Sequence, residues 1–149
     1  MSPSDYSVIV VEDVESELLL LKRAFQAAKI RNPIHYFRDG QEAIDWLNPM
    51  TNGGGRDRFN THPALMLLDL KMPRKTGLEV LEWLRAHPPL NRLATVMMSN
   101  SESASDINRA YDLGCNAYLL KPLNYSDLVE LVELICRFWL LQNKKSELR

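Results

Sequence analysis

The stretch Ala64-Leu65-Met66-Leu67-Leu68-Asp69-Leu70-Lys71-Met72-Pro73-Arg74-Lys75-Thr76-Gly77 decides the fold. Five apolar residues without alternation end on a carboxylate, which suits a strand covered on both faces. Thr76-Gly77-Leu78-Glu79 then has the spacing of a capping box, so a helix opens directly behind the strand. A carboxylate at the carboxyl end of such a strand lies where open α/β sheets place their ligand crevice.

The same unit recurs outward from this stretch. Strands are predicted at Ser7–Val11, Ile34–Phe37, Ala64–Leu68, Ala94–Met98 and Ala117–Leu120. Helices are predicted over Glu15–Lys29, behind Asp39-Gly-Gln-Glu42, behind Thr76, from Ser103 to before Gly114, and behind Asn124 or Ser126. Leu18, Leu21 and Phe25 give the first helix its apolar face. Repeated βα units with short connections imply a parallel sheet wound on both faces. Residues 49–63 break the rhythm and read as a mobile surface loop. Its Gly53-Gly54-Gly55 lacks the lysine and helix start of a phosphate cradle.

The chain has 149 residues, 46% of them hydrophobic and 25% charged, which is enough for one domain with a real core. A net charge of −1 gives no field that would draw it to nucleic acid or anionic lipid. No apolar run is long enough to span a membrane, and the start lacks the regions of a signal peptide. Cys115 and Cys136 lack metal-type spacing and read as free core thiols in a reducing compartment, the cytoplasm by default. The basic tail at 143–149 reads as a solvated helix end.

Three other strand ends carry chemistry. Glu12 and Asp13 close the first strand, Ser99 the fourth and Lys121 the fifth. Carboxylates brought together repel unless a cation offsets them. Oxygen ligands without His or Cys favour a hard ion, Mg²⁺ or Mn²⁺. Asp13 and Asp69 are the direct ligands in this reading, with Glu12 acting through a water. Asp69 is then a nucleophile for phosphoryl transfer, Lys121 a second counter-charge and Ser99 a donor to a phosphoryl oxygen. The Lys121–Pro122 bond is open to cis or trans.

Together these residues resemble the receiver domain of two-component response regulators: Glu12-Asp13, Asp69 with Met72-Pro73 and Gly77, Ser99 at 30 positions beyond Asp69, and Lys121-Pro122 at 22 beyond Ser99. The resemblance covers residues 6–142. It implies a flavodoxin-like α/β fold, a doubly wound five-stranded parallel sheet of order 2-1-3-4-5 with five helices. It implies that Asp69 is the phosphoacceptor, that the backbone carbonyl of Lys71 joins Asp13 and Asp69 on Mg²⁺, that Lys121 binds phosphate, and that Ser99 and Tyr118 form the switch pair. It further implies a histidine kinase as phosphodonor and self-catalysed, slow dephosphorylation. The 49–63 loop, the Ser99-Asn100-Ser101 segment and the length are similar to the small regulators that partner cyanobacterial phytochromes. Asn100 departs from the small residue common at that place and is expected to slow hydrolysis or hinder inward rotation of Tyr118.

No basic reading helix follows residue 142, so output by protein contact is expected, not DNA binding. In the last helix, Leu128, Leu131, Val132, Ile135 and Trp139 form the expected core stripe. Val129, Leu134, Cys136, Phe138, Leu140 and Leu141 lie beyond it, which points to a homodimer through Leu134, Phe138 and Leu141, with Tyr111 and Asn108 nearby. The competing readings are a Mg²⁺-dependent aspartyl-phosphate phosphatase, a receiver-like binding module that is not phosphorylated, and a flavin-binding protein. Lys71 stands where the phosphatase would need a second acid, and the acidic first loop opposes a flavin phosphate.

Overall fold

In the computed structural model, residues 5–52 and 61–146 are described. The strands are β1 (Tyr6–Val11), β2 (Ile34–Phe37), β3 (His62–Asp69), β4 (Ala94–Ser99) and β5 (Ala117–Leu120). The helices are α1 (Glu15–Ala27), α2 (Gly40–Leu47), α3 (Gly77–Ala86), α4 (Ala104–Asp112) and α5 (Tyr125–Cys136). All strand pairs are parallel, in the order β2-β1-β3-β4-β5. The expected α/β architecture is therefore observed.

The uninterrupted apolar character of the strands has its cause in two cores. Ile9, Val11, Met66, Leu68 and Met97 face α2 and α3, while Val8, Val10, Leu65, Leu67, Val96 and Met98 face α1 and α5. Alternate residues of one strand thus feed opposite cores, and neither face is left polar. Strand β3 is longer than expected and takes in Pro63. Its pairing with β1 shifts register between Ser7 and Val8, and such an irregularity is where a residue without an N–H is tolerated inside a sheet.

The caps follow the sequence. Asp39, Thr76, Ser103 and Asn124 each accept an N–H three residues on, and Thr76 with Glu79 completes the capping box. Asn124, not Ser126, caps α5. Helix α1 ends two residues earlier than expected. Lys29 enters the left-handed region at φ 56, and the Lys29 and Ile30 amides bond back to Gln26 and Phe25. This Schellman arrangement satisfies the last carbonyls.

Three expectations need correction. The segment read as a loop from residue 49 begins as a 3₁₀ turn, Asn48–Asn52, anchored by buried Met50. It closes into β3 at His62. Residues 53–60, with the glycine run, lie outside the described residues. The core stripe of the last helix is broader than expected, since Cys136 and Leu140 are buried too. Beyond α5 the chain continues as a π-type turn, Arg137–Gln142, which packs on the start of β3 and draws Leu140 inward. The basic end is not simply solvated. Lys145 folds back to donate to the Leu140 carbonyl at 2.6 Å and lies over the Tyr6 ring.

Candidate phosphoryl and metal site

Glu12 and Asp13 follow β1, while Asp69, Ser99 and Lys121 end or follow β3, β4 and β5, so the parallel order brings all five to one edge of the sheet. Carboxylate oxygens of Glu12, Asp13 and Asp69 lie within 4.8 Å of one another. Lys121 Nζ stands 2.8 Å from Glu12 Oε2 and 3.1 Å from Asp69 Oδ1. These side chains converge as the strand-end reading expects.

Burial sets the electrostatics. It pushes the Glu12 carboxyl up to about 7, against the opposing pull of Lys121. It likewise pushes Asp69 up to about 6, with Asp13 adding to the rise and Lys121 opposing it. Burial works against the Lys121 charge, but hydrogen bonds and the field of the surrounding carboxylates win and hold it above its ordinary range. The site thus retains its ammonium while Glu12 and Asp69 are reluctant to ionise.

The donor set fits a hard divalent cation. Asp13 Oδ1 is buried with no hydrogen-bond partner, an acceptor left over in an all-oxygen cluster. Glu12 is better occupied: its Oε1 accepts the Val14 amide at 3.1 Å while Oε2 takes Lys121. Above Asp69 lies a recess of about 340 Å³ bordered by Val14, Glu17, Lys71, Ser99, Asn100, Ser101 and Lys121.

Backbone packing holds Asp69 in place. The Gly77 amide donates to the Leu70 carbonyl at 2.8 Å, and a Cβ on Gly77 would collide with the Asp69 carbonyl oxygen. Only glycine lets α3 start this close to the acid-bearing strand. Arg74, at φ 65 in the intervening loop, reaches Asp39 of the α2 cap at 3.0 Å.

Ser99 is buried, and its Oγ accepts the Ser101 amide at 3.0 Å. Tyr118 is half-buried against the core and donates to the Ser101 carbonyl at 2.9 Å. Ser101 Oγ donates to Asp106 of α4 at 2.6 Å and accepts the Ser103 amide. Ser101 is therefore the hub between Ser99, Tyr118 and α4, and the sequence reading did not single it out. Asn100 is exposed and lines the recess beside Glu17. Among the described residues the cis peptide is Pro88–Pro89, so Lys121–Pro122 is not cis.

Glu17 was also missed. It sits on α1 and pairs with Lys121 Nζ at 2.7 Å, across 104 positions of sequence. Its only signal is an acid in the first turn of a helix that begins beside Glu12-Asp13, and that pattern equally describes an ordinary dipole-favoured carboxylate.

Comparison with known proteins bears on this geometry. The response regulator receiver domain family matches residues 8–133. The chain belongs to that family. A probable methanogenesis regulatory protein, FilR2 of Methanothrix harundinacea, is 36% identical over 93% of this chain and 86% of its own length. Response regulator Rcp1 of Synechocystis is 32% identical over 89% of this chain and 88% of its own. The crystal structure of a phosphorylated cyanobacterial phytochrome response regulator, RcpA, superposes with a TM-score of 0.80 at 32% identity, covering 93% of this chain and 96% of that one. An Mn²⁺-bound form of Rcp1 gives 0.79 at 31% identity over 94% and 98%. The receiver is thus related to phytochrome response regulators. No helix among the described residues is long and apolar enough to cross a membrane.

Proposed function

We propose that this chain is the phosphoryl-accepting switch of a two-component relay and signals by protein contact. The observation that carries the reading is the Lys121 ammonium 3.1 Å from Asp69, beside the Glu12, Asp13 and Asp69 oxygens. Asp69 is the nucleophile in this reading and a histidine kinase the donor. The likeness to RcpA and Rcp1 makes a phytochrome kinase the first to try. The reading implies the cytoplasm, where such kinases present their phosphohistidine.

Asp13, Asp69 and the Lys71 carbonyl would hold Mg²⁺ or Mn²⁺, with Glu12 acting through water. The ion, when bound, supplies counter-charge for phosphoryl oxygens. Lys121 supplies the second counter-charge. Ser99 would exchange its bond from the Ser101 amide for one to the phosphoryl group. Through Ser101 that exchange reaches Tyr118 and α4, so the α4–β5–α5 face is the expected readout.

Incubation with Mg²⁺ and acetyl phosphate, followed by intact-mass measurement, tests the reading. A labile phosphate adduct is expected on the wild type and none on Asp69→Asn. Rapid turnover of phosphoesters would instead make the protein a phosphatase, and no wild-type adduct would make it a binding module.

Leu134, Phe138 and Leu141 stand exposed on α5 and the π-turn, and the proposal extends to a homodimer through them. Sedimentation at micromolar concentration checks this. A single species at the monomer mass of 17.1 kDa, with and without phosphorylation, would end the dimer proposal.

A further inference from the structure

A lysine ammonium has three N–H donors. In this structure all three have carboxylate partners: Glu17 at 2.7 Å, Glu12 at 2.8 Å and Asp69 at 3.1 Å. A phosphoryl group arriving on Asp69 needs one of those donors, so one partner must yield. Glu12 is a poor choice. It is fully buried and locked at its other oxygen by the Val14 amide. Asp69 is the attachment point itself. Glu17 is one-third exposed on α1 and borders the open recess over Asp69. Its carboxylate can rotate into water at little desolvation cost.

We propose that Glu17 is a placeholder: its carboxylate occupies the place on Lys121 that the phosphoryl group takes, and must be displaced for the switch to close. Glu17 is then a positioning residue that acts through Lys121. Burial alone would raise its pKa, yet Lys121 holds the carboxyl below its ordinary range, so it competes as an anion at neutral pH. In the transfer an Asp69 oxygen bonds to phosphorus while the donor's bond to phosphorus breaks and its electron pair leaves with the donor. Glu17 gains and loses no covalent bond; it exchanges a lysine for water.

Two consequences set this apart from a structural salt bridge. Removing the Glu17 charge should strengthen binding of a phosphoryl mimic, where loss of a structural contact would weaken it. The gain should also shrink as salt rises, because a partly exposed charge is screened.

The inference rests on Asp69 being the phosphoacceptor. The probe is beryllium fluoride with Mg²⁺, which mimics the acyl phosphate without turnover, titrated calorimetrically beside acetyl phosphate labelling. Glu17→Gln is expected to bind the mimic about tenfold more tightly and to label faster, in line with removing one negative charge beside an incoming anion. Glu15→Gln removes an equal charge from the same helix turn, but Glu15 pairs with Arg38 and not with Lys121, so it should behave as wild type. If Glu17→Gln fails to fold, Glu17→Asp serves: its shorter reach should give a smaller gain in the same direction. Mimic binding equal to or weaker than wild type, or the same gain from Glu15→Gln, overturns the placeholder. A wild type that takes neither beryllium fluoride nor phosphate overturns the phosphoacceptor reading, whereas a competent wild type with an indifferent Glu17→Gln sinks the placeholder alone.

Discussion

At the carboxyl edge of the sheet, the Glu12 and Asp69 carboxylates are buried beside an ammonium; on the outer side of α5 and the π-turn, Leu134, Phe138 and Leu141 are 54%, 54% and 70% exposed. Each region breaks the usual partition of polar outside and apolar inside, in opposite directions. Buried charge costs stability that only a partner, proton or cation returns. Exposed apolar surface forgoes stabilisation that only a covering surface returns. Under the proposed function, an ion and phosphoryl group would complete the first region and a second surface the other. The Ser101 hub ties the first region to Tyr118 of β5.

The sharpest way to break the contrast is Lys121→Ala. Removing one partner from a buried ionic cluster costs about 3–5 kcal/mol. The cost should depend on pH with a definite sign. Glu12 and Asp69 have folded values raised above their unfolded ones, to about 7 and about 6, chiefly by burial. Below their unfolded values, about 4, both are protonated in both states and cost nothing. Between there and about 7 the folded protein holds more protons, so rising pH lowers stability. Without Lys121 the main opposition to burial is lost, and that window extends upward. Thermal unfolding in chelator should show a loss for Lys121→Ala that is larger at pH 8 than at pH 5, and Mg²⁺ should return part of it. A loss independent of pH would mean the acids are not charged when buried.

Neighbouring residues sharpen the other side. Leu140 is 6% exposed and Leu141 is 70%. Leu140→Ala should cost about 2–5 kcal/mol, as a buried leucine does. Leu141→Ala should stay within about 0.5 kcal/mol in the monomer and act only on self-association. Urea unfolding of both, run beside sedimentation, measures this. Equal losses would mean that Leu141 is covered within the protomer.

What could be read from sequence follows the same division. Asp69, Glu12-Asp13, Ser99 and Lys121 were legible because each closes an apolar run, and a parallel sheet sends all such ends to one edge. The strand order came from the receiver resemblance, and the structure agrees with it. Glu17 was not legible, because its approach to Lys121 depends on how α1 lies over the sheet, which periodicity does not state. Ser101 was hidden for a related reason: its partners are the Ser99 hydroxyl, the Ser103 amide, Asp106 and Tyr118, assembled by the turn itself. In α5, a single helical stripe correctly named Val132 and Ile135 but was too narrow for Cys136 and Leu140. The helix end beds against the start of β3, where a regular wheel carries no information.

A smaller effect than that of Lys121 or Leu140 probes how the acidic edge is held from outside. Asp39 caps α2 through the Glu42 amide at 2.8 Å and, with its other oxygen, takes Arg74 from the loop that follows Asp69. The Arg74 guanidinium is largely exposed, so its ion pair contributes little by itself. The cap dominates, and Asp39→Ala should cost about 1 kcal/mol. Asp39→Asn keeps the accepting oxygen while removing the charge, so it should recover most of that stability. If the Arg74 link also steadies the loop carrying Lys71, both variants should weaken Mg²⁺ binding by a similar factor although their stabilities differ. Calorimetric Mg²⁺ titration of the two variants, beside their thermal unfolding, separates the cap from the link. Affinity that tracked stability would assign Asp39 to the α2 cap alone and leave Lys71 positioned by Gly77 and the Leu70 carbonyl.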